Sequence, residues 1–110
     1  TTTLNLVYDD LVPNKASIIQ PKKQIGANKK DFECIIRYKS KDVAIYSMGD
    51  YQESCMEAII KYANCDTLVL AYSDRFKKSL CQTISNYYHH CIIHKTVSDV
   101  TDSNNIILNI

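Results

Sequence analysis

The sequence predicts an α/β domain with helices packed on a mixed β-sheet. Two observations support this class: short apolar runs of strand length recur along the chain, and apolar residues between them fall at helical spacing. A third is the composition, since 45% of the 110 residues are hydrophobic and 23% are charged, as is typical of a globular chain. At this length, residues 1–110 are expected to form a single domain.

Three strands are predicted in the first half of the chain. Residues 4–9 form an apolar run that predicts the first strand. Residues 11–31 contain both prolines and one of the two glycines and show no periodicity, so they predict a long basic loop. Residues 32–38 and 43–48 predict two further strands, and the short polar link between them indicates a β-hairpin.

Two helices are predicted in the second half. Asp50 is a suitable N-cap for the first, and Glu53 lies three residues later, as in a capping box. Apolar residues then recur along one stripe to about residue 63. Ser73 and Asp74 are expected to cap a second helix that ends near residue 88.

Apolar runs predict strands on either side of the second helix. Residues 67–72 are nearly all apolar, which is typical of a central strand covered on both faces. Residues 91–97 predict the next strand, and residues 106–110 are a candidate for one more. The predicted order is β β β α β α β, and its single-helix crossover implies a mixed sheet.

Three acidic residues occupy positions that the predicted sheet would bring together. Asp10 closes the first predicted strand, Asp74 follows the strand at 67–72, and Glu53 lies early in the helix between them. Converging carboxylates repel each other and require a cation, so the trio predicts a divalent metal site. Turn formation by aspartate and capping by Glu53 explain the same residues without a metal.

Basic residues are concentrated in the first half of the chain. Eight of the 13 lysines and arginines fall within residues 15–41, where only Asp31 and Glu33 oppose them. Such a stretch suits contacts with nucleic-acid phosphates, and a loop kept solvated by lysine is the alternative interpretation. The candidate nucleic-acid-binding residues are Lys15, Lys22, Lys23, Lys29, Lys30, Arg37, Lys39 and Lys41.

The cysteines predict the redox state of the compartment in which the protein is found. Five cysteines lie within apolar segments without C-x-x-C spacing, which predicts buried free thiols in a reducing compartment, the cytoplasm or nucleus. No apolar run approaches the roughly 20 residues of a membrane helix, so no membrane partner is expected. No P-loop, dinucleotide-binding or nucleophile-elbow motif is present.

Four short features resemble the ribonuclease H-like family. The family's first-strand motif is similar to Val7-Tyr8-Asp9-Asp10, and its motif after the fourth strand is similar to Tyr72-Ser73-Asp74. The family's hairpin of the second and third strands resembles residues 35–42. Glu53 precedes Asp74 by 21 residues, close to the family's spacing between its helix carboxylate and the next aspartate. The resemblance covers about residues 4–97 and implies a ribonuclease H-like mixed sheet.

This resemblance implies a metal-dependent nuclease. Asp10, Glu53 and Asp74 would be its catalytic residues and would bind one or two Mg²⁺ ions that hydrolyse RNA in an RNA–DNA hybrid. The lysines would contact phosphates and give affinity without sequence readout. Leu11 stands where the family has glycine, and no residue near the C-terminus clearly matches its fourth carboxylate. A non-cleaving member of the fold is therefore an alternative.

Two other classes of function stay open. From residue 43 onward, the predicted order β α β α β β is similar to the Alba family of DNA- and RNA-binding proteins. In that family's mode, Lys77 and Lys78 would contact phosphates. A protein-interaction domain without nucleic acid is the other alternative, since a net charge of +1 and eight tyrosines suit a protein-binding surface.

Overall fold

A computed structural model of the protein describes residues 2–85 and 89–110, apart from the side chain of Phe76. The elements in these ranges are α1 (Thr2–Leu11), β1 (Ala16–Gln24), β2 (Phe32–Tyr38), β3 (Lys41–Tyr46), α2 (Gln52–Lys61), β4 (Thr67–Leu70), a 3₁₀ turn (Asp74–Phe76), α3 (Lys77–Ser85) and α4 (Asp99–Leu108). The predicted α/β class, with a mixed sheet and packed helices, is confirmed.

The sheet has the order β1-β2-β3-β4 and mixes both kinds of pairing. β1 pairs with β2 and β2 with β3 in antiparallel fashion, whereas β3 and β4 are parallel and connected through α2. β4 lies at an edge, and all four of its residues are half-buried. The predicted central strand at 67–72 is therefore wrong in its placement, because an apolar run does not fix the strand order.

A tight hairpin joins β2 to β3, as the sequence predicts. Lys39 and Ser40 form its turn with φ of 51° and 63°, the positive values that a type I′ turn requires at both positions. Arg37 pairs with Asp42 across the hairpin, and Arg37 Nη1 lies 2.8 Å from Asp42 Oδ1. The turn fixes the register that sends alternate β2 residues to opposite faces of the sheet.

One face of the sheet packs against α1 and α4. Leu4, Val7 and Leu11 of α1 are buried against sheet residues that include Ile36, and Ile107 of α4 packs on the same cluster. Burying side chains of this size stabilises the fold by roughly 1.5–3 kcal/mol each. This layer therefore anchors both terminal helices to the sheet.

The opposite face packs against α2. Ala58 and Tyr62 of α2 contact Ala44 and Tyr46 of β3 in a second buried cluster. The half-buried residues that join this cluster include members of β2 and β4. β1 contributes no buried residue to it, because only Ala16 of this strand is buried, and Ala16 belongs to the cluster with α1.

Residues 4–9 lie in helix α1, so the predicted first strand is wrong. The short run looks strand-like, but the buried residues Leu4, Val7 and Leu11 recur at i, i+3 and i+7, the spacing of a helix. Packing of this apolar stripe against the sheet stabilises a helix over a strand in this segment. As a consequence, Asp10 lies in the last turn of a helix and not at the end of a strand.

Residues 11–31 are not one long loop, because β1 lies within them. The strand was not predicted because it has no buried face: every residue after Ala16 is exposed, so no alternation of apolar and polar residues appears. Pro21 lies inside a shift in the pairing register, where the missing N–H is tolerated on an edge strand. The first strand of the sheet thus begins at Ala16, later than the sequence predicts, whereas β2 begins where it was predicted.

The C-terminal strand predictions are also wrong. Residues 91–97 contain no regular secondary structure, and residues 106–110 mostly belong to α4. Ser98 caps this helix by accepting from Thr101 N at 3.2 Å, and two acidic residues occupy its first turn. The β-branched residues of the segment favour a strand by propensity, but capping and packing override them. The predicted end of the preceding helix near residue 88 lies outside the described residues.

Helix α2 is present where predicted, but its start differs. Tyr51 occupies the N-cap position, its side chain makes no capping hydrogen bond, and the predicted capping box of Asp50 and Glu53 is therefore not formed. The predicted capping by Ser73 is confirmed, because Ser73 Oγ accepts a hydrogen bond from Arg75 N at 3.3 Å at the start of the 3₁₀ turn.

All five cysteines are free thiols. Cys34 and Cys55 are fully buried, and burial raises the pKa of each thiol to about 11. These two behave as apolar core residues. The prediction of buried thiols is confirmed for these two residues, whereas Cys65 and Cys81 are half-buried and Cys91 is exposed.

Candidate nucleic-acid interface

The three predicted catalytic carboxylates do not form one site. Asp10 lies on α1 and Glu53 on α2, and these helices cover opposite faces of the sheet. Asp74 follows β4, and all three residues are exposed. Within residues 2–85 and 89–110, no three His, Cys, Asp or Glu side chains are placed to hold a metal ion. The residues present therefore do not fit the expected Mg²⁺ site.

The predicted basic residues follow one edge of the sheet. β1 is the edge strand, and its pairing with β2 places Lys22 and Lys23 toward one end, while Lys15 precedes the other end. Lys29 and Lys30 lie in the turn from β1 to β2, beside the first pair. All five side chains are exposed. We refer to Lys15, Lys22, Lys23, Lys29 and Lys30 as the basic edge.

Three other predicted basic residues lie near Lys15, at the hairpin end of the strands, and each already has a contact. Arg37 forms an ion pair with Asp42. Lys39 Nζ lies 5.2 Å from the centroid of an aromatic ring, and Lys41 Nζ donates to a main-chain carbonyl at 3.3 Å. These residues add positive charge at this end but are less available for a ligand.

No lysine of the basic edge forms an ion pair within the described part of the chain. The ion pairs found there are Arg37–Asp42, Lys61–Glu33 and Lys95–Asp99. Lys23 acts electrostatically on the Glu33 carboxylate, its partner across β1 and β2. The five lysines still outnumber the nearby carboxylates, and such an excess of cations leaves a positive potential at the surface that attracts polyanions. The charge of the basic edge is thus available for recognition.

Lys22 is held in place by aromatic and polar contacts. Its Nζ lies 4.4 Å from the ring centroids of both Tyr8 and Phe32, and it donates to Asn5 Oδ1 at 2.7 Å. The two rings meet edge to face, with centroids 5.9 Å apart. Contacts with aromatic rings attract a cation and do not cancel its charge, as a carboxylate would. The Lys22 side chain is therefore held in place without an ion pair.

The turn that carries Lys29 and Lys30 is also tied down. Lys30 N donates to Asn28 Oδ1 at 2.9 Å, and Asn5 Nδ2 donates to the Lys30 carbonyl oxygen at 3.0 Å. Together with Lys22, these residues border a concavity of about 510 Å³ between α1 and the turn. We call this concavity, lined by Lys22, Lys29 and Lys30, the lysine cradle.

Two acidic residues also border the lysine cradle. Asp31 is only 5% exposed, and its Oδ1 accepts from Ser47 Oγ at 3.2 Å. Ser47 Oγ in turn accepts from Phe32 N at 2.9 Å, so the Asp31 carboxylate is part of the buried hydrogen bonding that begins β2. Asp9 is exposed, and its carboxylate opposes an anion in the cradle.

A buried carboxylate on β2 has a structural role. Glu33 is 6% exposed and accepts hydrogen bonds from Lys61 Nζ and the Tyr62 hydroxyl of α2. Burial opposes ionisation, but these hydrogen bonds outweigh it and hold the pKa of Glu33 below its usual value. Burial and the bond to Glu33 raise the pKa of Tyr62. The charge of Lys61 is thus engaged within the fold.

The residues that position Lys22 were not predicted from the sequence. Asn5 and Tyr8 were placed on a strand, which hid their position one helical turn apart on α1. The spacing of Leu4, Val7 and Leu11 is the signal that identifies the helix. Their contact with Lys22 depends on the tertiary packing of α1 beside β1.

Comparison with models of protein families, with curated proteins and with solved structures finds no match to this chain. What can be said of its function therefore depends on the geometry above. None of the helices in the described ranges has the length and apolar character needed to cross a membrane.

Proposed function

We propose that the protein binds nucleic acid through the basic edge and does not cleave it. The supporting observation is that five exposed lysines follow an edge strand and have no carboxylate partner in the described ion pairs. Lysine–phosphate contacts supply affinity that is independent of sequence. The ribonuclease H-like relationship stays a hypothesis, and the separated carboxylates give its metal chemistry no support.

The length of β1 sets the size of the expected ligand. The strand has nine residues, and the distance from its first to its last Cα, at about 3.3 Å per step, is roughly 26 Å. Successive phosphates of one strand of a duplex are about 3.4 Å apart along the axis, so the edge covers roughly eight nucleotides. Shorter oligonucleotides should bind more weakly, because they reach only one group of lysines.

The surroundings of the basic edge favour backbone contacts over base contacts. The rings of Tyr8 and Phe32 lie beneath Lys22, and Phe32 is only 3% exposed. Among the exposed large hydrophobic residues of the described ranges, Tyr51 is the aromatic one. It lies at the start of α2 and not on β1. Base stacking, which single-strand binders use, is therefore not supported on this surface.

Two matched double variants test the location of the interface. Lys29→Gln/Lys30→Gln removes two adjacent charges from the basic edge, and Lys77→Gln/Lys78→Gln removes two adjacent charges from α3. Fluorescence anisotropy with a labelled RNA–DNA hybrid should show at least a tenfold loss of affinity for the first variant only. A selective loss in the second variant would favour the Alba-like interface, and equal affinity in both would contradict the proposal.

Cleavage is tested in the same system. The hybrid should stay intact after incubation with the protein and Mg²⁺, since the carboxylates do not converge on a cation site. Degradation by the wild-type protein that disappears in Asp74→Asn would contradict this part of the proposal and support the nuclease hypothesis.

A second candidate is a protein partner that adds a strand to β1. This edge strand exposes Ile18 and Ile19, which are 49% and 50% accessible. Exposed edge strands offer main-chain hydrogen bonds to an extended peptide, and apolar side chains strengthen such pairing. Ile19→Lys would weaken a protein complex of this kind, whereas it would leave nucleic-acid affinity unchanged or increase it.

A further inference from the structure

We propose that the lysine cradle binds a phosphomonoester, such as a nucleoside monophosphate or the phosphorylated end of a nucleic-acid strand. The inference rests on the proposed function for the phosphate class of the ligand, and it goes further by assigning a distinct subsite within the basic edge. The expected ligand carries a dianionic phosphate attached to a group of nucleoside size.

The dimensions of the lysine cradle favour a small ligand. Its volume of about 510 Å³ lies within the range of roughly 300–1,000 Å³ that small-molecule pockets occupy. The concavity is largely open to solvent, so a nucleoside monophosphate would lie along its surface and would not be enclosed by it. Gln24 adds a polar side chain to the lining, which suits a ligand with hydroxyl or ring nitrogen groups.

The number of hydrogen-bond donors favours a monoester over a diester. Three lysines and two carboxylates, those of the buried Asp31 and the exposed Asp9, border the cradle, so its lining carries a formal excess of one positive charge. A phosphomonoester presents three strong acceptor oxygens, whereas an internal phosphodiester has one fewer. Each of the three lysine ammonium groups can therefore donate to one terminal oxygen of a monoester.

The placement of Lys22 lowers the cost of binding. A lysine side chain carries about 2 kcal/mol of rotamer entropy, part of which is lost when it is ordered on a ligand. Lys22 is already ordered by Asn5 and two aromatic rings. Lys29 and Lys30 lie on a turn whose backbone is held by Asn28 and Asn5. The Lys22 side chain and the backbone of the turn are therefore ordered before a ligand arrives.

Isothermal titration calorimetry with adenosine monophosphate, its phosphate methyl ester and adenosine tests the inference. The monophosphate should bind, the methyl ester should bind about tenfold more weakly because it lacks one charge, and adenosine should not bind.

Lys22→Met and Lys29→Gln/Lys30→Gln should each weaken monophosphate binding at least tenfold. Lys77→Gln/Lys78→Gln should leave it unchanged, and Asp9→Asn should strengthen it by removing an opposing charge. Circular dichroism checks folding, and the turn variant serves if Lys22→Met fails to fold.

The same probes separate this inference from the proposed function. A 5′-phosphorylated oligonucleotide should bind more tightly than its 5′-hydroxyl counterpart if the phosphate is at that end, and a 3′-phosphate pair tests the other end. Equal binding of monophosphate and methyl ester, or no binding of either, would overturn the inference while nucleic-acid binding stands. Monophosphate binding without oligonucleotide binding would support the inference and contradict the proposed function.

Discussion

At Lys22, two aromatic rings and an amide oxygen surround an ammonium group that forms no ion pair among the described residues. Most surface lysines are mobile, and their charge is screened by water. Here the rings of Tyr8 and Phe32 hold the side chain in place. The sequence shows Lys22 only as one member of a basic stretch, because its partners lie on a helix packed beside the strand.

Glu33 gives the protein a specific dependence of stability on pH. The pKa of Glu33 is lowered in the folded state from its ordinary value of 4.5, so its contribution is present above that pH and is lost as the pH falls through the lower folded-state pKa. We expect Glu33→Gln to lower the free energy of unfolding at pH 7 by about 1–3 kcal/mol. Urea denaturation should show that this difference shrinks on acidification to pH 3.

Tyr62→Phe is the control for that experiment. It removes one donor to Glu33 but leaves Lys61 in place. It should lower stability by about 1 kcal/mol and retain most of the pH dependence. Parallel pH profiles for the wild-type protein and Glu33→Gln would show that Glu33 does not have a lowered pKa.

Among the elements, α2 and the β2–β3 hairpin could be predicted from their apolar patterns, whereas β1 and α1 could not. Helix α2 buries Cys55 and Ala58 on one stripe, and the hairpin of β2 and β3 combines apolar runs with a polar turn. Strand β1 buries only Ala16, so its sequence carries no period. Helix α1 has the right period, but its central residues also form a short apolar run. The lysines of the basic edge were identified in the sequence as a basic loop, but their place along an edge strand was not predicted. The cradle likewise depends on packing that spacing does not encode.

The β2–β3 turn contains a side chain where glycine is preferred. Ser40 has φ of 63°, and a left-handed conformation costs a residue with a Cβ about 1 kcal/mol. We therefore expect Ser40→Gly to raise the free energy of unfolding by several tenths to about 1 kcal/mol. Ser17→Gly in the exposed strand β1 is the matched control, where added backbone freedom should lower stability. Thermal denaturation that shows destabilisation in both variants would rule out strain at Ser40.

Over the whole molecule, a net charge of +1 conceals a strong polarity. Residues 15–41 carry eight basic and two acidic residues, whereas the rest of the chain carries five basic and ten acidic residues. A polyanion is therefore attracted to the β1 edge and repelled elsewhere, which orients the encounter. This polarity was visible in the sequence, but only the fold shows that the basic segment forms one edge of a sheet.

The salt dependence of nucleic-acid affinity tests the central claim most directly. Each phosphate contacted by a lysine contributes about −0.9 to the slope of log K against log salt concentration on a duplex. The basic-edge variant Lys29→Gln/Lys30→Gln should reduce the magnitude of this slope by about 2, and Lys77→Gln/Lys78→Gln should leave it unchanged. The same slope in the wild-type protein and both variants, or a reduced slope only in the α3 variant, would contradict recognition through the basic edge.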